Sequence, residues 1–331
     1  REVGVRYGRD RLRAEMEAVQ DAAETKVRNA LAKLPAGERT FVDYLETDEQ
    51  ASVPIMVRIT LHPPPNGVRR SESHRPAAVF DFTGTGDVVD GNLNANRAIV
   101  GAAVLYVLRL LVDEDIPLND GAMNAVELIV PPGLLNPRPA SDPRDSPAVA
   151  AGNVETSQRL VDILLGAMGL AAASQGTMNN VVFGNQTFGC YETICGGSGA
   201  TVDADGAHAV QVHMTNTRAT DPEILERRMP VRLLELRIRR GSGGAGRRRG
   251  GDGAVRKIEF LQSLELSLIT ERRGPHPPFG LAGGKPGLLG VNTIERADGS
   301  TERLPGICQR SVHRGDCLIV CTPGGGGFGA P

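Results

Sequence analysis

Forty-one glycines in 331 residues, many of them gathered into runs, restrict this chain more than any other feature. The runs fall at residues 196–199, 241–253, 283–290 and 324–329. Such segments have no side chains to bury, so they read as tight bends joining strands. The chain has no tryptophan and only 4% aromatic residues, so aliphatic residues and alanine must build its core. An apolar fraction of 40% and a charged fraction of 23% suit a soluble globular protein of one large domain or two ordinary ones. A net charge of -2 gives no overall bias toward nucleic acid or an anionic membrane. No apolar window is long enough to predict a transmembrane helix.

Periodicity supplies the coarse architecture. Apolar residues spaced by three or four predict a helix over Arg9–Leu34, stopped by Pro35 and Gly37. "ERTFVDYLE", "VPIMVRITLH" and "AAVFDF" read as strands, with "NGVRRSESHRP" as the loop before the third. A polar glycine turn leads into a helix over 94–112, then the strand "AVELIVPPG" and a long Pro-rich loop. "NVETSQRLVDILLGAMGLAAAS" predicts another helix, with Asn153 as its N-cap. Beyond Met178, β-like segments alternate with glycine turns: "NNVVFGN", "AVQVHM", "RLLELRIR", "VRKIEFLQSLELSLITER", "GLLGVNTIE" and "CLIVCTPGG". The expected fold class is α+β, with helices in the first half and a large mixed or antiparallel sheet in the second.

Five cysteines include no CxxC pair, and Cys317 and Cys321 lack the partners of a zinc pattern. Reduced thiols in a cytosolic protein are the expectation. The chain opens on Arg1, and its first residues carry no signal-peptide core, so it is expected to begin partway through a longer protein.

Four stretches could carry chemistry. In "DFTGTGDVVDGN", a strand runs into a glycine turn where Asp81 and Thr83 could hold a polar ligand; no Lys follows, so it is not a Walker loop. In "YETICGGSGA", Glu192 precedes the Gly196–Gly197 bend, a base beside possible anion-stabilising amides, with Cys190 and Cys195 flanking it. In "AVQVHMTNTRATDPE", a period-2 strand would deliver His213 to its end, followed by Thr215, Asn216, Arg218 and Asp221. The arginine-rich glycine run between residues 237 and 253 has no interleaved aromatics, so a cationic hairpin rim is favoured over RNA binding. A tight turn, a buried thiol pair or a solvated loop would need many of the same residues.

The order of the motifs carries more than any one of them. "GNLNANRAIVGAAVLY", "NVETSQR", "GTMNN", "YETICGGSGA", "HMTNTRATDPEILE", "RRGSGGAGRRRGGDGAVR" and "TPGGGGFGAP" follow one another along the chain. This series resembles the hydantoinase B/oxoprolinase family, from about Arg9 to Pro331, and most of all the C-terminal part of its ATP-dependent oxoprolinase branch. The resemblance implies hydrolytic opening of 5-oxo-L-proline to L-glutamate, a step of glutathione metabolism, with this part serving the hydrolytic half-reaction. It implies ATP and Mg2+ bound by a hydantoinase A-like half, in cis or in trans, and a homodimer in the full protein. Residues 1–331 would then be the C-terminal portion of a hydantoinase B-like domain, inactive in isolation. Metal ligands of carboxylase relatives lie in a part this sequence lacks, so whether a metal binds here stays open. Alternatives are a hydantoinase B-type or acetone/acetophenone carboxylase subunit, and a non-catalytic assembly module.

An activated lactam needs a water-directing base, donors for developing oxyanion charge and a cation for the substrate carboxylate. Glu192 or His213 is the expected base, with Asn179, Asn180 and the Gly196–Gly197 backbone as donors. Arg218 is the expected cation, with Thr215, Asn216, Asp221, Asp81 and Thr83 as substrate contacts. These roles come from residue type and motif membership; the resemblance assigns none of them.

Overall fold

A computed structural model describes residues 2–47, 52–63, 75–112, 114–117 and 119–331. Of the predicted loop at 66–76, residues 66–74 lie outside the described residues. Helix α1 (Glu2–Tyr7) leads into α2 (Arg9–Leu31), which buries only its last third, from Ala23 onward. Strands β1 (Gly37–Glu46) and β2 (Ser52–Leu61) form an antiparallel hairpin in which Glu46 faces Ser52. Strand β3 (Ala78–Asp81) continues the sheet. The chain then crosses through α3 (Arg97–Leu111) and short α4 (Gly121–Asn124) to β4 (Val126–Ile129), which pairs parallel with β3. Asn96 caps α3, its side chain accepting from the Ile99 amide.

One turn of π-helix, Gly152–Thr156, precedes α5 (Ser157–Ala167). Asn153 sits inside that wide turn and is not an N-cap; Thr156 holds the cap position without a side-chain cap bond. Every residue of α5 is buried, including Gln158, Arg159 and Asp162. It packs against α3 and the first sheet and closes an aliphatic core with Val104, Leu108, Ile55 and Ile59.

The second half is β-rich, as periodicity anticipated, but its strands divide between two sheets. β5 (Asn180–Gly184), β6 (Gly189–Thr193), β9 (Leu264–Ile269) and β12 (Ile307–Val312) form one, in the order β12-β9-β5-β6. β7 (Val231–Arg239), β8 (Gly253–Phe260), β10 (Val291–Glu295), β11 (Thr301–Leu304) and β13 (Cys317–Cys321) form the other, in the order β11-β10-β13-β8-β7. "VRKIEFLQSLELSLITER" is therefore two strands, bent at Leu261–Ser263 and placed in different sheets. Their inner faces share a core of Phe183, Leu266, Leu268, Ile258, Phe260 and Val320. Between β6 and β7, α6 (Pro222–Arg228) begins on Asp221, whose carboxylate caps the Glu223 amide.

The glycine runs do more than turn. Residues near 198, 244, 251, 281 and 325 lie side by side, joined by backbone bonds such as Gly251 N–H to Ser198 O, Gly325 N–H to Gly251 O and Gly244 N–H to Gly325 O, each 2.9 Å. A Cβ at Gly197 would stand 1.9 Å from Gly251 O, and one at Gly325 1.9 Å from Ser198 O. The backbones approach too closely for any side chain, which explains why distant runs share one composition. The arginine-rich run is, as expected, the connection of a β7–β8 hairpin, with Arg247, Arg248 and Arg249 exposed on its rim.

Candidate functional site

Where the first sheet, α5 and the β-rich half meet, charged side chains replace aliphatic ones. Asp43, Glu46, Glu155, Arg159, Asp162, Glu271 and Arg272 are all buried, and Arg273 is half-buried beside them. Arg272 grips Asp43 with two bonds of 2.6 and 3.1 Å. Arg159 donates to Glu271 at 2.6 Å and to Tyr44 O at 2.8 Å. Arg273 donates to Asn179 Oδ1 at 2.7 Å and to Asn292 Oδ1 at 3.0 Å. Among the described residues this junction sets five carboxyls against three guanidiniums. Burial raises Glu155 to about 7, against hydrogen bonds from Thr177 and Met178, and pushes Glu271 well above the carboxyl range. Each keeps one oxygen without a partner, where a proton can sit. With those two protonated, three carboxylates balance three guanidiniums. Burial lowers Arg273 to about 10, so it stays cationic at neutral pH.

His213 reaches this network from the other side. Its Nε2 lies 3.2 Å from Asp162 Oδ1, and Asp162 Oδ2 lies 4.0 Å from Arg272. The edge of the Tyr106 ring meets the imidazole at 5.9 Å between centroids. "AVQVHM" is not a strand: Val210 makes a single bridge to Gly196, and His213 occupies a turn with φ 51°. The turn is closed by Thr215 N–H to Val212 O at 3.0 Å. Gln158, buried on α5, clamps it at three points, donating to Val212 O and Thr215 Oγ1 and accepting from the Met214 amide. This clamp holds a non-glycine residue in the left-handed region, a placement that periodicity does not encode.

The other expected residues divide into those engaged internally and those facing solvent. Glu192 is buried, with Oε2 2.5 Å from Arg256 and Oε1 accepting from the Thr220 amide at 3.3 Å. Asn179 donates to Gln175 and Ile194 O, and Asn180 to Glu155 and Ile269 O, so the amide protons of both serve the interior. The amides of Gly197 and Ser198 donate to Pro323 O and Ala207 O. A Cβ on Gly196 would meet Gln175 Oε1 at 1.9 Å. Thr193 and Thr217 join through their hydroxyls at 2.5 Å, so the 213–221 loop is pinned to β6 while Asn216 and Arg218 stay exposed. Cys190 is buried and Cys195 half-buried; burial pushes both thiols up, which disfavours the thiolate.

Asp81 and Thr83 sit apart from that loop, on the first sheet. Asp81 accepts from the Thr83 amide at 2.9 Å and pairs with Arg58. Burial opposes its ionisation, but these bonds prevail and hold it below the usual range. The amides of Thr85 and Gly86 donate to Phe82 O and Pro54 O, so this turn presents no phosphate cradle and does not fit a nucleotide. Among the described residues no group of three His, Cys, Asp or Glu side chains could hold a metal ion, and no helix is long and apolar enough to cross a membrane.

The pairing of buried Asp162 with His213, whose side chain keeps 14% exposure, is the arrangement that orients an imidazole for proton transfer. With Nε2–H donated to Asp162, Nδ1 is the basic nitrogen. The hydantoinase B/oxoprolinase family model matches residues 1–331. The chain belongs to that family. Its relatives include 5-oxoprolinase 1 of Arabidopsis thaliana, 42% identical over 98% of this chain and 25% of that protein. The 5-oxoprolinase of Dictyostelium discoideum is 40% identical over 98% of this chain and 24% of its own length. The crystal structure of an ATP-dependent caprolactamase from Pseudomonas jessenii superposes with a TM-score of 0.80 at 22% identity, covering all of this chain and 58% of that one. The chain thus spans about a quarter of the length of the 5-oxoprolinases it matches. Residue-type reasoning missed Gln158, Asp162 and Arg273; Gln158 and Arg273 lie in the polar runs "ETSQR" and "ERR", and Asp162 follows the first of these among aliphatic residues.

Proposed function

We propose that this chain is the C-terminal portion of a hydantoinase B-like domain in an ATP-dependent 5-oxoprolinase, and that it serves the hydrolytic half-reaction. The observation that carries the chemistry is His213 held on buried Asp162 at the foot of an exposed loop. The relatives named 5-oxoprolinase support the substrate. ATP and Mg2+ belong to a hydantoinase A-like half, in cis or in trans, which activates the lactam oxygen; the full protein is a homodimer.

In this reading water adds to the activated lactam carbon and its proton passes to His213 Nδ1. Asp162 stabilises the imidazolium that forms. Arg218, free to reach from the loop, offers its guanidinium to the substrate carboxylate. Collapse of the adduct breaks the ring C–N bond, the nitrogen taking a proton back from His213 to become the amine, and a second water cleaves the acyl phosphate that remains to give glutamate and inorganic phosphate. Glu192 supports the loop through Thr220 and is the competing base.

The test uses the full-length parent protein with ATP and 5-oxo-L-proline, following phosphate and glutamate together. The expected result is equal release by wild type, with glutamate lost and ATP cleavage retained in His213→Ala. The same split in Glu192→Gln, with His213→Ala unaffected, would move the base to Glu192. No glutamate from wild type would overturn the substrate and turn attention to a hydantoin or carboxylase reaction.

A further inference from the structure

A cavity of about 670 Å³ opens between the end of the β1–β2 hairpin and the β11–β12 connection. Glu46, Thr270, Arg273, Arg303, Pro305 and Ile307 are among its walls. Two of its polar groups lack a full set of partners. Glu46 is 8% exposed; its Oε2 accepts from the Arg273 and Gly274 amides at 2.9 and 3.0 Å, but its Oε1 is buried with no partner. The guanidiniums of the adjoining network direct their hydrogen bonds elsewhere: Arg159 to Glu271, Arg272 to Asp43, and Arg273 to Asn179 and Asn292. At the mouth, Arg303 is exposed and makes no ion pair among the described residues. A buried carboxylate oxygen without a donor is costly, and such an atom at a cavity wall marks a missing ligand group.

We propose that this cavity binds a small zwitterion, an α-amino acid, with its ammonium toward Glu46 and its carboxylate toward Arg303. A carboxylate oxygen without a donor and a guanidinium without an ion pair on one cavity complement the two ends of that ligand. Pro305 and Ile307 leave an apolar wall for a short side chain. The site is separate from the His213 loop, and the inference does not rest on the reaction proposed above. It makes a chemical distinction that reaction creates: 5-oxo-L-proline carries a carboxylate but a neutral lactam nitrogen, whereas an open amino acid carries an ammonium.

Calorimetric titration of the protein with L-alanine, L-glutamate, acetate and 5-oxo-L-proline tests it. Both amino acids are expected to bind saturably, and acetate and 5-oxo-L-proline at least about tenfold more weakly. Glu46→Gln keeps an oxygen for the two backbone amides while removing the charge, and is expected to weaken amino-acid binding by about tenfold or more. Arg303→Met, on an exposed side chain, is expected to do the same, and decides the matter if Glu46→Gln does not fold. Absence of saturable amino-acid binding in wild type would overturn the site. So would equal binding of acetate or 5-oxo-L-proline, or binding that Arg303→Met leaves untouched.

Discussion

Glu155→Gln is the substitution whose outcome the structure specifies most closely. Glu155 is fully buried at the π-turn before α5. Its Oε1 accepts from Asn180 Nδ2 at 2.6 Å and the Met178 amide at 3.1 Å, while Oε2 has no partner. Burial raises its pKa from 4.5 to about 7. The unfolded chain releases this proton near the lower value and the folded chain near the higher one. Between them the folded state holds more protons, so raising the pH favours unfolding. The shift corresponds to about 3 kcal/mol, absent at low pH and complete above the folded value. Glutamine keeps an oxygen for both donors and removes the titration. Urea unfolding of wild type and Glu155→Gln at several values between pH 4.5 and 8 is the assay. The variant is expected to gain on wild type by about 3 kcal/mol across that window. Glu271 is raised first by burial and in part by the charge of Glu155, so the difference reports the two carboxyls as a coupled pair. A stability difference independent of pH would refute the assignment of the buried proton to Glu155.

Three further outcomes follow from the geometry. Gly325→Ala drives a Cβ to 1.9 Å from Ser198 O and is expected to cost about 3 kcal/mol or more, whereas Gly241→Ala, with open space around it, costs only the left-handed strain of about 1 kcal/mol; thermal melts of the pair compare them. Arg159→Met removes the donor to Glu271 and one of the two guanidiniums beside buried Asp43, and is expected to destabilise by about 3 kcal/mol in denaturant unfolding. Asp162→Asn in the full-length protein is expected to lower glutamate formation by about a hundredfold or more while phosphate release continues, and retention of coupled turnover would argue against His213 as the base.

The local elements were legible because they depend on near neighbours. Spacing of Leu12, Met16, Val19 and Ala23 marks α2, and alternation marks β2, β9 and β13. Asp221-Pro222 marks the start of α6. The segment around His213 misled because "AVQVH" alternates like a strand, while Gln158 from α5, 55 residues earlier in the chain, bends it into a turn. The candidate site was legible only as a list of residue types. Asn179, Asn180 and Glu192 are polar residues in a shared motif, yet their hydrogen bonds face inward to Arg273, Glu155 and Arg256.

By itself the sequence determined the α+β class, the aliphatic core and the family, since composition, periodicity and motif order are properties of the chain alone. Tertiary structure alone decided that the glycine runs pack on one another, that Asp162 holds His213, and that Glu46 borders a cavity with one oxygen lacking a donor. Those facts depend on segments meeting across 51 residues or more and on which charge finds a partner once water is excluded, and no local pattern records either.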